Sequence, residues 1–394
     1  MRNKKIIIDK ANRLHQMPPD ILSFIRTESL RPLLKKPKLI DLATFTWPVT
    51  YDSHSAPSAP ELQPASSEQL NNLKEELIAW FATHHHVKLK STKELFVGGG
   101  IRTLLFNLAL SFLENGDIAF VPELGLPLYR KIVTACGGEP INYNVSAKNN
   151  WSPGFERLNT HLGRAARVLF LNSPHNPTGF ELNEKEMAEL AWLAGRENFL
   201  VVNDAAYQSL PERKPVSLLS AAGGRKVGVE IYSFSYQFGL PPLPFGFIAG
   251  NREVINAVKQ SAGLLPSYIP AYYIDLALQA IRKFPSETLK KTRKQISRAA
   301  SEANRLLSAL SLEKAGSATV PFIWAEIAKR EQNSTVTARQ LYRRYRILTA
   351  PGTAFGESGQ GFLRLSLTAA PEIYSEAAGR LKRKIKILKK KDNQ

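Results

Sequence analysis

Residues 168–207 read VLFLNSPHNPTGFELNEKEMAELAWLAGRENFLVVNDAAY, and their pattern decides the fold class. Residues 168–171 and 199–203 are short apolar runs with strand propensity. Between them, residues 184–194 space their apolar side chains as a helix does. The same alternation extends outward. Residues 101–113 have helical spacing and stop at Asn115-Gly116; residues 118–121 are a strand, 128–134 a helix and 229–234 a further strand. Apolar runs of this length separated by amphipathic helices predict an α/β protein, its parallel sheet covered by helices on both faces. After Pro285 the pattern changes to a long basic helix over about 288–310, a strand near Phe322, a helix near Arg339, a strand at 362–367 and a terminal helix. That part reads as a smaller α+β domain. Residues 51–67, rich in Ser, Pro and Ala, are the most loop-like stretch.

Composition sets the outer limits. The 394 residues are 43% hydrophobic and 22% charged, which excludes a disordered or fibrous chain. No apolar run approaches the roughly 18 residues that a membrane span needs. The single Cys136 excludes a disulfide framework and a multi-cysteine metal site. At the N-terminus MRNKKIIIDK has three apolar residues before Asp9, fewer than the roughly 7–15 of a secretory signal, so the cytoplasm is the expected compartment. The net charge of +19 is the unusual quantity. Segments 1–13, 282–298 and 380–391 carry +4, +6 and +8 of it, so it reads as solvated faces and a tail.

Four segments carry the chemistry. They are LNSPHNPTG at 171–179, VNDAAY at 202–207, VEIYSFSYQFGLPPLPFGFIAGN at 229–251 and APGTAFGESGQGFLRLSLT at 350–368. VNDAAY places Asp204 at the C-terminal end of a strand, where ligand sites of parallel sheets gather. In this order and spacing the four resemble class I/II aminotransferases, the fold type I enzymes that use pyridoxal 5′-phosphate (PLP). DAAY and VGVE (227–230) resemble the LL-diaminopimelate and aspartate types. The resemblance covers nearly the whole chain. It implies a mostly parallel central sheet sandwiched by helices at 48–285, a small α+β domain from 1–47 and 286–394, and a homodimer.

It also implies roles. Asp204 would keep the cofactor's ring nitrogen protonated, since PLP works as an electron sink. Asn176 and Tyr207 match positions that hydrogen-bond its 3′-oxygen, and Ser233 matches a phosphate-binding serine. Gly100, Ile101 and Arg102 fall in the phosphate loop, at a helix N-terminus that favours an anion. Arg364 matches the arginine that grips a substrate carboxylate. Taken singly, each has a plainer reading: Asp204 as a turn cap, Asn176 as an Asn-Pro turn former, Arg364 as a surface ion pair. Their joint register favours a ligand pocket. His84–His86, without a spaced carboxylate or cysteine, reads as a solvated loop rather than a metal site, and Cys136 as a buried small hydrophobe.

The sequence departs from the family at the third segment. The family pattern Ser-x-Ser-Lys ends in the lysine that bonds PLP; here it is Ser233-Phe234-Ser235-Tyr236. The family's phosphate arginine falls at Pro244, and its ring-stacking aromatic at Leu126 in PELGLPLY (122–129). A tyrosine that reaches the phosphate across the dimer would fall near Gln63 or Pro64, and DLATFTW (41–47) lacks the family's glycines. Lys226 is expected to open the strand leading to Tyr236, and Lys259 to lie on the next helix, so neither replaces the lysine. A charged phosphate contact contributes roughly 1.5–3 kcal/mol, and a positioned general base roughly 10²–10⁴-fold in rate. Tyrosine forms no imine and, at a reference pKa of about 10, is a poor base.

The sequence therefore predicts a protein of amino-acid or amine metabolism without ordinary lysine-dependent transamination. It would hold PLP or pyridoxamine 5′-phosphate (PMP) non-covalently, with Tyr236 as a proton-transfer group and a small amino acid or amine as ligand. The alternative is a pseudoenzyme that binds an amino-acid-like ligand or a partner subunit. Nucleic acid is suggested only by charge, and no recognition motif accompanies it.

Overall fold

The computed structural model describes residues 11–17, 38–45, 63–155, 158, 161–240, 244–264, 268–317, 320–327 and 333–391. Among them the strands are, in chain order, β1 (Ile40–Asp41), β2 (Leu95–Gly98), β3 (Ile118–Pro122), β4 (Glu139–Val145), β5 (Pro153–Gly154), β6 (Ala166–Asn172), β7 (Leu200–Asp204), β8 (Gly228–Ser233), β9 (Gly246–Gly250), β10 (Leu312–Lys314), β11 (Phe322–Ile327), β12 (Ile347–Leu348), β13 (Ala350–Pro351) and β14 (Phe362–Ser366).

Eight of them form one sheet in the order β2-β9-β8-β7-β6-β3-β4-β5. The middle of that sheet, from β8 through β4, is parallel, and its edge pairings are antiparallel. β6, β7 and β8 are almost wholly buried, as strands covered on both faces must be. The helix Glu184–Glu197 starts at a capping box, with Asn183 and Glu186 satisfying each other's backbone N–H groups. It ends at Asn198, whose φ of 62° is a helix-stopping conformation. The expected α/β class and the central elements are thus present.

A second sheet, β10-β11-β14-β13, is antiparallel and comes from the chain after residue 310. Beside it β1 pairs in parallel with β12, Ile40 opposite Ile347, which carries residues 38–45 to the C-terminal part. The helix Glu287–Leu310 buries Leu289, Thr292, Ile296, Ala299, Ala303 and Leu306 on one stripe. The helix Pro371–Lys391 packs on it, with the Ser375 hydroxyl donating to Glu302 Oε2 at 2.5 Å.

Three local expectations are corrected. Lys226 does not open a strand; it lies in a short helix, Gly224–Val227, because β8 starts only at Gly228. His85 is not in a solvated loop. It is 1% exposed in a π-helical turn, Phe81–His85, with its ring 4.5 Å from that of Trp80. Cys136 is half-exposed at a helix end rather than buried. Among the described residues no group of His, Cys, Asp and Glu is arranged to hold a metal ion, and no helix is long and apolar enough to cross a membrane. Of the loop-like stretch, 51–62 lies outside the described residues, as do Thr46 and Trp47 of DLATFTW.

Candidate active site

In a parallel sheet every strand delivers its last residue to the same edge. Here that edge collects Pro122 from β3, Asn172 from β6, Asp204 from β7 and Ser233 from β8. Asn172 and Asp204 are directly opposite in register. The Asn172 amide donates to the Asp204 carbonyl at 2.8 Å, and its oxygen accepts the Asn176 N–H at 2.8 Å. One side chain therefore fixes the backbone of two predicted ligand residues.

The Asp204 carboxylate is buried, and it is doubly held. Oδ2 accepts from the Tyr129 hydroxyl at 2.8 Å and Oδ1 from the Ala206 N–H at 3.2 Å. Burial pushes its pKa up to about 6; the Tyr129 and Ala206 hydrogen bonds act against that rise. Three residues after Asp204, Tyr207 takes a hydrogen bond from the Asn176 amide at 3.5 Å. Asn176 in turn accepts from an Arg364 terminal nitrogen at 3.0 Å.

Arg364, on β14, is 5% exposed, so the second sheet reaches into this edge. Its other terminal nitrogen donates to the Ala43 carbonyl at 2.7 Å. Its guanidinium carbon sits 4.7 Å from the ring centroid of Phe322 and 4.8 Å from that of Phe355. Burial lowers its pKa to about 10, with Tyr207 and Tyr236 opposing, so it is charged at neutral pH. Its buried Nε has no hydrogen-bond partner among the described residues.

Tyr236 occupies the short helix Phe234–Phe238 that follows β8, with Ser233 as N-cap accepting the Tyr236 N–H at 3.5 Å. Its ring lies between those of Phe45, 4.8 Å away, and Tyr207, 5.3 Å away. Burial and Asp204 push the phenol up to about 12 while Arg102 and Arg364 pull the other way. The exposed Arg102 thus acts on the same site. The Gly100–Phe112 helix begins without a side-chain cap, leaving its first N–H groups to be satisfied by another partner. Gly100 has φ +79°, and an added Cβ would meet the Pro244 backbone at 3.5 Å. Pro244 therefore stands beside this helix start but offers no charge to it. Leu126 caps the next helix and is partly buried against two core clusters. Gln63 and Pro64 pair instead with the backbone at Ala271 and Pro270.

The structure thus brings together Asp204, Asn176, Tyr207, Arg364 and Tyr236, while Gly100, Ile101, Arg102 and Ser233 gather at the adjoining helix starts. Lys226 is at the opposite end of β8, and Lys259 lies on the Arg252–Ala262 helix under the influence of Lys93 and Arg252. A hollow of about 540 Å³ opens at that opposite edge, lined by Glu114, Asp117, Arg167 and Lys226 among others; it holds none of the predicted residues. Sequence reasoning missed Tyr129, Asn172 and Phe45. All three were inside quoted segments, but neither type nor spacing marks a residue that acts through a neighbour.

These residues fit a pyridoxal-type cofactor and an anionic substrate: a buried carboxylate suits the ring, an uncapped helix start suits a phosphate, and the Arg364 guanidinium, with its unpartnered buried nitrogen, suits a substrate carboxylate. They do not offer covalent attachment at position 236. Comparison with known proteins agrees with this geometry. An LL-diaminopimelate aminotransferase of Halothermothrix orenii is 27% identical over 319 residues, 80% of this chain and 82% of the relative. Transaminase BacF of Bacillus subtilis is 27% identical over 317 residues, 79% of this chain and 78% of the relative. In fold, the substrate-bound BacF structure superposes with TM-score 0.84 at 23% identity, over 96% of this chain and 98% of BacF. An aspartate aminotransferase variant of Thermus thermophilus gives 0.84 at 21% identity, over 96% and 100%. Such aminotransferases are PLP-dependent, which is consistent with PLP as the cofactor here. The sequence profile of the family "Aminotransferase class I and II" matches residues 63–381, and with the fold and this strand edge it establishes that the chain belongs to that family.

Proposed function

We propose that the chain is a divergent aminotransferase-family protein of amino-acid or amine metabolism that binds PLP or PMP non-covalently. The observation that carries this reading is the cluster at the strand edge: Asp204, Asn176, Tyr207 and Arg364 are buried together beside Tyr236. When bound, the cofactor supplies an electron sink. Asp204, ionised above about pH 6, would hold a proton on its ring nitrogen. Asn176 and Tyr207 would hold the 3′-oxygen; Gly100, Ile101, Arg102 and Ser233 would hold the phosphate. Arg364 would orient a substrate carboxylate, and the names of the LL-diaminopimelate relatives make an amino acid the substrate class. Tyr236, protonated to about pH 12, would give a proton or a hydrogen bond rather than take one. The reading includes a cytoplasmic homodimer and a division into 48–285 and 1–47 with 286–394.

A second reading draws on the same tyrosine. A phenol that stays protonated, packed between Phe45 and Tyr207, suits a pseudoenzyme that binds an amino-acid-like ligand or a partner subunit. Thermal melting with millimolar PLP or PMP separates the readings, since a ligand of the native state raises the transition. A raised melting temperature, with PMP converted to PLP by a keto acid, is the enzyme. A raised temperature without conversion is the binder. An unaltered transition sinks the cofactor reading.

A further inference from the structure

We infer that Tyr129 is a positioning residue that keeps the Asp204 carboxylate ionised and fixed in one rotamer, ready for a protonated ring nitrogen. The inference rests on the cofactor reading above for its purpose, but its physical content belongs to the protein alone. Tyr129 lies on the helix Pro127–Ala135 and is 1% exposed, its ring stacked on Phe170 at 5.9 Å. From there its hydroxyl donates to Asp204 Oδ2 at 2.8 Å. The Ala206 N–H takes Oδ1, and Asn172 holds the carbonyl of the same residue. Asp204 is thus fixed from a helix, from the neighbouring strand β6 and from the turn that follows it in the chain. A carboxylate oxygen has two lone pairs, so one hydrogen bond to each oxygen leaves capacity for a further donor.

A hydrogen bond from a phenol favours the charged form of the acceptor, whereas burial favours the neutral form. Tyr129 itself is held strongly protonated by burial and by Asp204, so it remains the donor. The titratable groups coupled to Asp204 are Tyr129, Tyr207 from the segment after β7 and Tyr236 from the helix after β8. Its strand neighbours Asn172 and Ile231 carry no charge. Among these groups Tyr129 makes the hydrogen bond to the carboxylate that opposes burial. Without it, burial would act with less opposition.

The test is a carbon-13 NMR titration of the full-length chain labelled at aspartate Cγ, with the signal assigned by Asp204→Asn. Tyr129→Phe should raise the Asp204 midpoint by about one pH unit, the size a hydrogen bond to a charged acceptor carries. An unmoved midpoint overturns the inference. Should the phenylalanine variant fail to fold, 3-fluorotyrosine at position 129 keeps the shape and strengthens the donor, and the midpoint should then fall; no change again overturns it. PMP affinity measured across the same pH range supplies a separate readout. A loss of affinity on acidification that tracks the carboxyl midpoint in both proteins supports both ideas. A midpoint that moves while PMP affinity ignores pH supports the hold of Tyr129 on Asp204 and removes Asp204 from the cofactor's ring.

Discussion

Asp204 is held against its own solvation, and that has a sign. A carboxyl whose pKa rises from 3.8 to about 6 on folding binds protons more readily in the native state between those values. Stability therefore falls as pH rises through that window, and the deficit persists above it. Asp204→Asn removes the buried charge while leaving an oxygen for Tyr129. It should stabilise the chain at pH 8 by up to roughly 3 kcal/mol and by little at pH 4, read as urea midpoints at the two values. His85 shows the opposite slope. Burial drives its pKa down to about 3, and neither ring nitrogen has a hydrogen-bond partner among the described residues. The unfolded chain takes up the proton first, so stability is full above about pH 6.5 and is lost as pH falls toward 3. His85→Leu should flatten that acid slope and gain about 1–3 kcal/mol, the cost of unsatisfied buried polar groups. The imidazole was legible in the sequence as part of a histidine run. Its burial was not, because Tyr232, which packs on it alongside the neighbouring Trp80 and Phe81, comes from a strand far along the chain.

At the scale of elements, the short helix that carries Tyr236 depends on how it stops. Gly239, its C-cap, has φ +70°, and an added Cβ would lie 2.5 Å from the Leu289 backbone nitrogen. Gly239→Ala combines a left-handed backbone penalty with a clash, so a loss of roughly 2–5 kcal/mol is expected in denaturant unfolding. Gly223, with φ +79° and nothing within 4 Å, isolates the backbone part. Gly223→Ala should lose only about 1–2 kcal/mol. Elements with strong periodicity were readable to within three residues. The helices expected at 101–113 and 184–194 are Gly100–Phe112 and Glu184–Glu197. The strand expected at 229–234 is Gly228–Ser233, but Lys226 was wrongly expected to open it, because a turn of helix at Gly224–Val227 is too short to show a period.

At the scale of the molecule, the site is assembled from distant segments. Ala43 and Phe45 come from near the N-terminus, Asn176 from the turn after β6, Asp204 from the end of β7, and Arg364 from the second sheet. Restoring one residue does not restore such an assembly. Tyr236→Lys should give at most a shifted cofactor absorbance on addition of PLP. Turnover of an amino acid should stay within about tenfold of the unmodified chain, since Pro244 and Leu126 still lack the phosphate and stacking groups. A recovery of about 10²–10⁴-fold, the contribution of a positioned base, would refute this.

What the sequence determined by itself was periodic or contiguous. Apolar runs between amphipathic helices specified the α/β class, and four ordered segments specified the family, because both are local patterns that each stretch carries unaided. Asp204 was legible for the same reason, standing at the end of a strand. Only the tertiary structure decided which groups touch it. The Tyr129 hydroxyl reaches Asp204 across 75 positions, and Arg364 reaches Asn176 across 188. No periodicity records such contacts. They arise when parallel strands bring their ends to one edge, and when burial there changes the proton affinity of every group that meets.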